Sequence, residues 1–359
     1  MDERELAAAW SGIIEPGDRA AGDLWNALGA EVGLEWMRLP SAQPLVQVQG
    51  WKALHARTHP RALAVEPNIE LSRAKALGVD VMWRGHEDWP GQLSCLGPAE
   101  PLVLWTKGNT DLLSRQQVAI VGARASTAYG NRIAQDMAWE LGKQGIVVTS
   151  GGAYGIDAAA HKGALESGQT IAVLCGGLGN LYPRGNVDLF NRIGCEGILV
   201  SEVPPGWRPA RWRFLERNRV IAGLAQALVV VEAGMRSGAL ATASRAADIS
   251  CEVGAVPGPV TSAASAGCLH LIREGAALIR SVNDILEMIG EFVSHEAIVE
   301  MAVDPYEQRV WEAFPVSRVS TTDELVLASG LSREVTEAAL VGLKLRGVIA
   351  LDEHQWRRL

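Results

Sequence analysis

Two hydrophobic textures follow one another along the chain, and their order predicts its architecture. Over the first seventy residues apolar positions recur at helical spacing in 4–14, 18–28 and 41–57, with Pro16, Pro40 and Pro60 as breaks. From Leu71 the apolar runs shorten. Residues 79–83 and 101–105 read as strands separated by Pro90 and Pro98, and are expected to extend the sheet that follows. Between 117 and 289 strand and helix patterns alternate. The strands are expected at 118–121, 146–149, 171–174, 198–201, 228–232, 252–256 and 277–280. Most are continuous Val, Ile, Ala and Leu rather than alternating, as parallel strands covered on both faces require. Segments such as 131–144 and 239–249 suit crossover helices. The expected fold is α/β, an extended Rossmann-like, doubly wound and mostly parallel sheet.

Past this region, 292–303 reads as a linker helix and Asp304-Pro305 marks a boundary. Helices are expected at 306–314, 322–329 and 332–346, followed by a strand at 348–351 and a turn. Thr321 or Thr322, and Ser332, are candidate N-caps. Three helices and a hairpin suggest a winged-helix module. Its third helix carries Arg333 and Lys344 but also Glu334 and Glu337, a poor charge profile for a major-groove reader. A protein-contact or regulatory role therefore stands beside DNA binding. The expected organisation is a helical domain at 1–70, the α/β domain at 71–290, a linker at 291–304 and the winged-helix-like domain at 305–359.

A length of 359 residues fits two or three domains. The net charge of -8 excludes a protein that coats nucleic acid indiscriminately. The charge is uneven, however: residues 111–290 hold 16 basic and 15 acidic side chains, while both flanks are acidic. Within that middle segment Arg211, Arg213, Arg217 and Arg219 crowd together. The N-terminus MDERELAAAW has no apolar signal core, and no uncharged run approaches the ~20 residues of a membrane helix, so a cytoplasmic location is expected. The five cysteines are odd in number and form no CxxC pair, which argues for reduced thiols and against disulfide or zinc frameworks.

The chemistry lies in small-residue turns that end strands and open helices. Such a turn directs backbone N–H groups and a helix N-terminus at the sheet edge, an arrangement that favours an anion. The first is Gly122-Ala123-Arg124-Ala125-Ser126, where Arg124 can bracket a phosphate. It is not GxGxxG, and no acidic residue ends the second strand, so no dinucleotide cofactor is expected. The second contains Ser150, Gly151, Gly152 and Gly155. Asp157 and His161 follow on its helix; they read as a helix-start carboxylate and a core-facing imidazole rather than as catalytic groups. The third runs through Gly176 and Gly177 to Arg184, a second candidate phosphate contact, and Asn186, a candidate cap. Phe190 beyond it is a candidate stacking platform, with helix packing as the alternative. Arg217, Asn218 and Arg219 open an apolar helix, and one of the two arginines is expected to pair internally with a carboxylate such as Glu202 or Glu232. The last turn places Ser237, Gly238 and Thr242. Four such turns at one sheet edge make a trough long enough for several consecutive phosphates.

The ordered set GAR (Gly122), SGGAYGID (Ser150), IAVLCGGLGNLYPRGN (Ile171), RNRVIAGL (Arg217), VVVEA (Val229) and SGALATA (Ser237) resembles the DNA-processing protein A (DprA/Smf) family over roughly residues 75–289. The flanking helical (SAM-like) and winged-helix-like segments are similar to members as well. The resemblance implies a single-stranded DNA-binding protein that acts as a homodimer, protects incoming strands in natural transformation and loads the RecA recombinase, without a catalytic reaction. Carried over, Gly122 and Arg124 match the family's Gly-Ser-Arg turn, Ser150, Gly151 and Gly155 its Ser-Gly loop, and Arg217-Asn218-Arg219 its Arg-Asn-Arg. Ala123, Gly152, Gly179, Leu215 and Leu269 depart from the family pattern, none of them removing a basic group. The alternative is a nucleotide phosphoribohydrolase of the lysine-decarboxylase-like type. It is disfavoured because its Pro-Gly-Gly-x-Gly-Thr-x-x-Glu signature is missing.

Overall fold

Alternate residues of the central strands feed two cores on opposite faces of one sheet. Ala172, Leu174 and Leu199 join the core shared with the N-terminal helices, while Ile171, Val173 and Val200 join the other. Two-sided burial is why the strands read as unbroken apolar runs. The computed structural model describes residues 1–41, 44, 45, 47–291, 304–315, 319–352 and 355–358. These fall into two units, Met1–Phe292 and Val293–Leu359. The expected linker at 292–303 lies outside the described residues.

In the first unit, helices α1 (Glu3–Ile13), α2 (Arg19–Arg38), α3 (Trp51–Ala64) and α4 (Pro67–Leu77) precede the sheet. The strands are β1 (Asp80–Trp83), β2 (Val103–Gly108), β3 (Gln117–Val121), β4 (Val147–Ser150), β5 (Thr170–Leu174), β6 (Ile198–Ser201), β7 (Ala227–Val230), β8 (Glu252–Ala255) and β9 (Ala277–Leu278). Their order is β1-β2-β6-β5-β4-β3-β7-β8-β9. Pairing is antiparallel for β1 with β2 and β2 with β6, and parallel from β6 through β9. The connections are α5 (Ala128–Lys143), α6 (Ile156–Ser167), α7 (Val187–Glu196), α8 (Arg211–Leu224), α9 (Gly238–Asp248), α10 (Ala266–Arg273) and α11 (Val282–Met288). After β3 the chain adds β4, β5 and β6 on one side, then returns through α8 to lay β7 on the other. The connections leaving β3 and β7 therefore lead to strands on opposite sides, which marks the switch point of a doubly wound sheet, where a crevice forms.

The N-terminal helices depart from their expected bounds for local reasons. The helix expected to end at Leu28 does break there, with Gly29 at φ +74°, but resumes to Arg38. α3 begins ten residues later than expected, after a left-handed Gly50, and runs through Pro60. α4 has no expected counterpart, because only Ala74 of its residues is buried and no apolar stripe marks it. These helices share a core with the sheet. The indole N–H of Trp105 on β2 donates to Ser11 Oγ on α1 at 2.8 Å, and that of Trp10 to the Ala30 carbonyl at 2.8 Å.

The second unit contains α12 (Pro305–Ala313), α13 (Thr322–Ser329), α14 (Arg333–Leu345) and an antiparallel pair, β10 (Ile349–Asp352) with β11 (Gln355–Arg358). Phe314, Leu325, Leu340, Leu343 and Trp356 form its core. Thr321 caps α13 through a capping box with Glu324, and Ser332 caps α14. Arg333 on α14 is paired with Asp323 and Glu337. Among the described residues no helix is long and apolar enough to cross a membrane.

Candidate functional site

At the switch point the turns after β3 and β7 are bolted together. Ala123 N–H donates to the Glu232 carbonyl at 2.7 Å, and Ile156 N–H to the Ala123 carbonyl at 3.2 Å. The buried Glu232 carboxylate accepts the Thr127 N–H at 2.8 Å and also the Thr127 hydroxyl, so Thr127 is fixed as the cap of α5. Gly155 closes the β4 turn at φ +78°, where a Cβ would sit 2.6 Å from the Arg124 carbonyl oxygen and 2.8 Å from Ser126 Oγ. Only glycine fits that approach. The turn after β3 is thereby presented rigidly, and the N–H groups of Arg124, Ala125 and Ser126 have no hydrogen-bond partner among the described residues.

A cleft of about 590 Å³ opens there. Its walls are the turn 122–125, Ala153 and the buried carboxylate of Asp157 after β4, the start of α8 with Phe214, Leu215, Arg217 and Asn218, and the loop entering α9 with Arg236, Ser237, Gly238 and Thr242. Arg124 is exposed, lies over the Phe214 ring at 4.8 Å, and has no acidic partner among the described residues. Arg236 is likewise exposed and without an acidic partner among them. Ser237 caps α9, accepting the Ala239 N–H at 3.2 Å, and Gly238, whose N–H has no partner among the described residues, lines the cleft. Two such guanidinium groups and several unpaired N–H donors at the carboxyl ends of parallel strands suit an anion.

Several expected contacts are committed to holding the fold instead. Arg219 is buried and paired with Glu202, and Glu232 is engaged by Thr127; the internal pairing expected of one arginine thus falls on Arg219, which is not free for phosphate. Arg217 is only 7% exposed and donates to the carbonyls of Gly151 and Val173, with Asn218 Oδ1 accepting from its Nε at 3.2 Å. Burial holds its pKa down, opposed by the nearby Asp157. Ser150 donates its hydroxyl to the Ile120 carbonyl at 2.6 Å. Asn186 occupies the N-cap position of α7 but makes no side-chain cap bond; its Nδ2 donates instead to the carbonyls of Gly152 and Ala153 at 3.0 and 3.2 Å. Phe190 has no exposed surface and packs beneath Gly152, so it offers no stacking face. Gly176 and Gly177 are buried under the segment 204–209. Ser126 donates to Asn131 Oδ1 at 2.6 Å, and the Thr242 hydroxyl to the Gly238 carbonyl at 3.2 Å. Arg184 is exposed and has no acidic partner among the described residues, but it lies on the neighbouring turn, where Gly185 N–H donates to Tyr154 Oη at 3.2 Å, outside the cleft lining.

Asp157 and His161 behave as the spacing suggests. Burial raises the Asp157 carboxyl, with Arg217 opposing, and its Oδ2 accepts the Ala153 N–H at 3.2 Å. His161 Nδ1 pairs with Thr170 Oγ1 at 2.7 Å, and burial, aided by Arg217, pulls its pKa down to about 3. With so low a pKa, His161 is not a proton-transfer group near pH 7. Among the described residues no cluster of three or more His, Cys, Asp or Glu side chains could hold a metal. Arg236, Phe214 and Leu215 line the cleft although the sequence does not single them out as site residues. A lone arginine before a Ser-Gly turn is the signal that could have found Arg236.

Comparison with known proteins identifies the family. The family model described as DNA recombination-mediator protein A matches residues 80–290. The chain is 47% identical over 268 residues to a DNA processing protein DprA of Mycobacterium tuberculosis, covering 72% of this chain and 69% of that protein. It is 43% identical over 199 residues to the DNA processing protein DprA of Streptococcus pneumoniae, covering 55% and 70%. The solved structure of the Streptococcus pneumoniae protein matches with a TM-score of 0.67 at 32% identity, covering 82% of this chain and all of that one. A structure of DNA processing protein A from Helicobacter pylori, described for its single-stranded DNA binding mode, matches with a TM-score of 0.54 at 28% identity, covering 59% and 95%. The chain belongs to the DNA recombination-mediator protein A family.

Proposed function

We propose that this protein binds single-stranded DNA across the switch-point cleft, as a recombination mediator rather than an enzyme. One observation carries the reading: Arg124 and Arg236 line a single cleft, the N–H groups of Arg124, Ala125 and Ser126 have no hydrogen-bond partner among the described residues, and neither guanidinium forms a salt bridge there, although the buried Asp157 also belongs to the lining. Those two arginines neutralise successive phosphates, and the turn N–H groups donate to phosphate oxygens. Arg217 acts from below, fixing the Gly151 carbonyl and contributing charge at a distance. Arg184 extends the basic track along the neighbouring turn. Few base contacts are needed, so preference for single strands follows from exposed bases and cleft width. The Helicobacter pylori relative's described binding mode supports this ligand.

The same reading includes a homodimer in the cytoplasm that shields strands taken up in natural transformation and hands them to a RecA-type recombinase. The unit with α12–α14 serves in it as a winged-helix-like contact module. The family's description as a recombination mediator supports the role. The decisive experiment is a gel shift with poly-dT and duplex of equal length across a salt series. The wild type should prefer poly-dT, and Arg124→Ala/Arg236→Ala should reduce the logarithmic salt slope by roughly 1.4, about 0.7 for each phosphate no longer neutralised. Unchanged binding in that double variant refutes the cleft. Release of free base from AMP would instead establish the phosphoribohydrolase.

A further inference from the structure

Residues 206–213 read Gly-Trp-Arg-Pro-Ala-Arg-Trp-Arg, and the phosphate cleft makes no use of this strap. It is held firmly. Gly206 N–H donates to the Glu70 carboxylate at 3.0 Å, Trp207 N–H to the Pro204 carbonyl at 2.9 Å, and Gly177 N–H to the Trp207 carbonyl at 2.9 Å. Pro204, Pro205 and Pro209 restrict φ along it. The Arg213 guanidinium contacts two indoles, 4.6 Å from the Trp207 centroid and 4.9 Å from that of Trp212. Beside Trp207 a second cleft of about 600 Å³ includes Arg61, Arg208 and Arg213 in its lining. Glu15 is the acid there, at 3.0 Å from both Arg61 and Arg213. Glu70 is paired with Arg73. Arg208 and Arg211 are exposed, and neither has an acidic partner among the described residues.

Trp212 is 44% exposed, and Leu215, three residues along the same helix face, is 48% exposed and lines the phosphate cleft. The two are separated by less than one helical turn, about 5 Å. A partly exposed indole in contact with a guanidinium and adjoining a phosphate site is a platform for a planar ring.

We propose that Trp212, supported by Arg213 and Trp207, is a base-stacking subsite for the single strand leaving the switch-point cleft, with Arg208 and Arg211 on the phosphates beyond it. This rests on the cleft reading above and adds a second contact chemistry to it. Stacking on an indole is indifferent to sequence, and bases already stacked in a duplex gain nothing from it, so the subsite sharpens the preference for single strands.

Affinity for dT oligonucleotides of about 4 and about 16 residues, spanning usual site sizes, tests the subsite. Trp212→Ala should weaken the longer strand about tenfold, within the range for loss of one stacked base, and leave the shorter unchanged. Trp212→Phe should restore most of the loss. A long strand with abasic residues in the end beyond the cleft should bind wild type and Trp212→Ala equally. That strand also tests the stacking on the wild type alone, should the substitution perturb the fold. Equal binding of intact long dT by wild type and Trp212→Ala overturns the subsite while leaving the cleft standing. Equal losses on both lengths, or a loss that persists on the abasic strand, overturn it too. If the wild type binds neither length, the cleft reading fails and the subsite falls with it.

Discussion

The guanidinium of Arg124 lies 4.8 Å from the centroid of the Phe214 ring. The contact joins the turn after β3 to the first turn of α8, and Tyr182 also meets Phe214 edge-on at 6.0 Å. An aromatic ring therefore aims this charge where elsewhere in the chain a carboxylate would. The difference matters because a ring orients a cation without neutralising it, leaving its attraction for phosphate intact.

Arg124→Ala should accordingly lower poly-dT affinity by about tenfold and reduce the logarithmic salt slope by roughly 0.7. Phe214→Ala should cost less, about 0.5–2 kcal/mol, with the slope unchanged because no charge is removed. Fluorescence anisotropy at several salt concentrations separates the two effects.

The buried pair of Arg219 with Glu202 leads to a stability prediction instead. Arg219→Met leaves Glu202 uncompensated in a site where burial already pushes its carboxyl pKa up, and should destabilise the fold by about 3–5 kcal/mol. Adding Glu202→Gln should recover part of that loss. Urea midpoints of the single and double variants measure it, and an unchanged midpoint in Arg219→Met would contradict the pairing.

Gly155→Ala places a Cβ against the Arg124 carbonyl at a backbone angle of +78°. A cost of about 1–3 kcal/mol is expected, together with weaker DNA binding, because the strain displaces the turn that carries Arg124. A variant with wild-type stability and wild-type affinity would rule this out.

His161 predicts a pH dependence. Its folded pKa of about 3 lies below the ordinary 6.5, chiefly through burial, so the unfolded chain takes up a proton over a range where the folded one does not. Its contribution is complete above pH 6.5 and is lost as pH falls toward 3, on the order of 5 kcal/mol at the acid end. Asp157 and Glu202, raised by burial, act in the opposite sense and stabilise the fold relatively at low pH. Comparison of wild type with His161→Gln isolates the histidine: urea midpoints between pH 6.5 and 4 should fall less steeply in the variant.

The strands were legible along the chain because their determinants are local. A β-branched run covered on both faces shows itself in four or five residues, as at Val118 to Val121 and Ile198 to Ser201. The turns were legible for the same reason: Gly122, Gly155 and Ser237 stand where the backbone needs them. α4 was not, since a helix burying one alanine leaves no stripe to read.

Which arginines remain available was decided only by the folded chain. Arg217, Arg219 and Arg124 look alike in sequence, yet Glu202 and the carbonyls of Gly151 and Val173 engage the first two, across 17 to 66 residues of chain. Arg124 meets a ring instead. Phe190 was turned under Gly152, and Arg236 was brought into the same cleft as Arg124 by the return through α8 that lays β7 against β3. Spacing determines what a segment becomes, because backbone conformation is a local matter. The availability of a charge depends on what packs opposite it, and that partner is chosen by contacts far away in sequence.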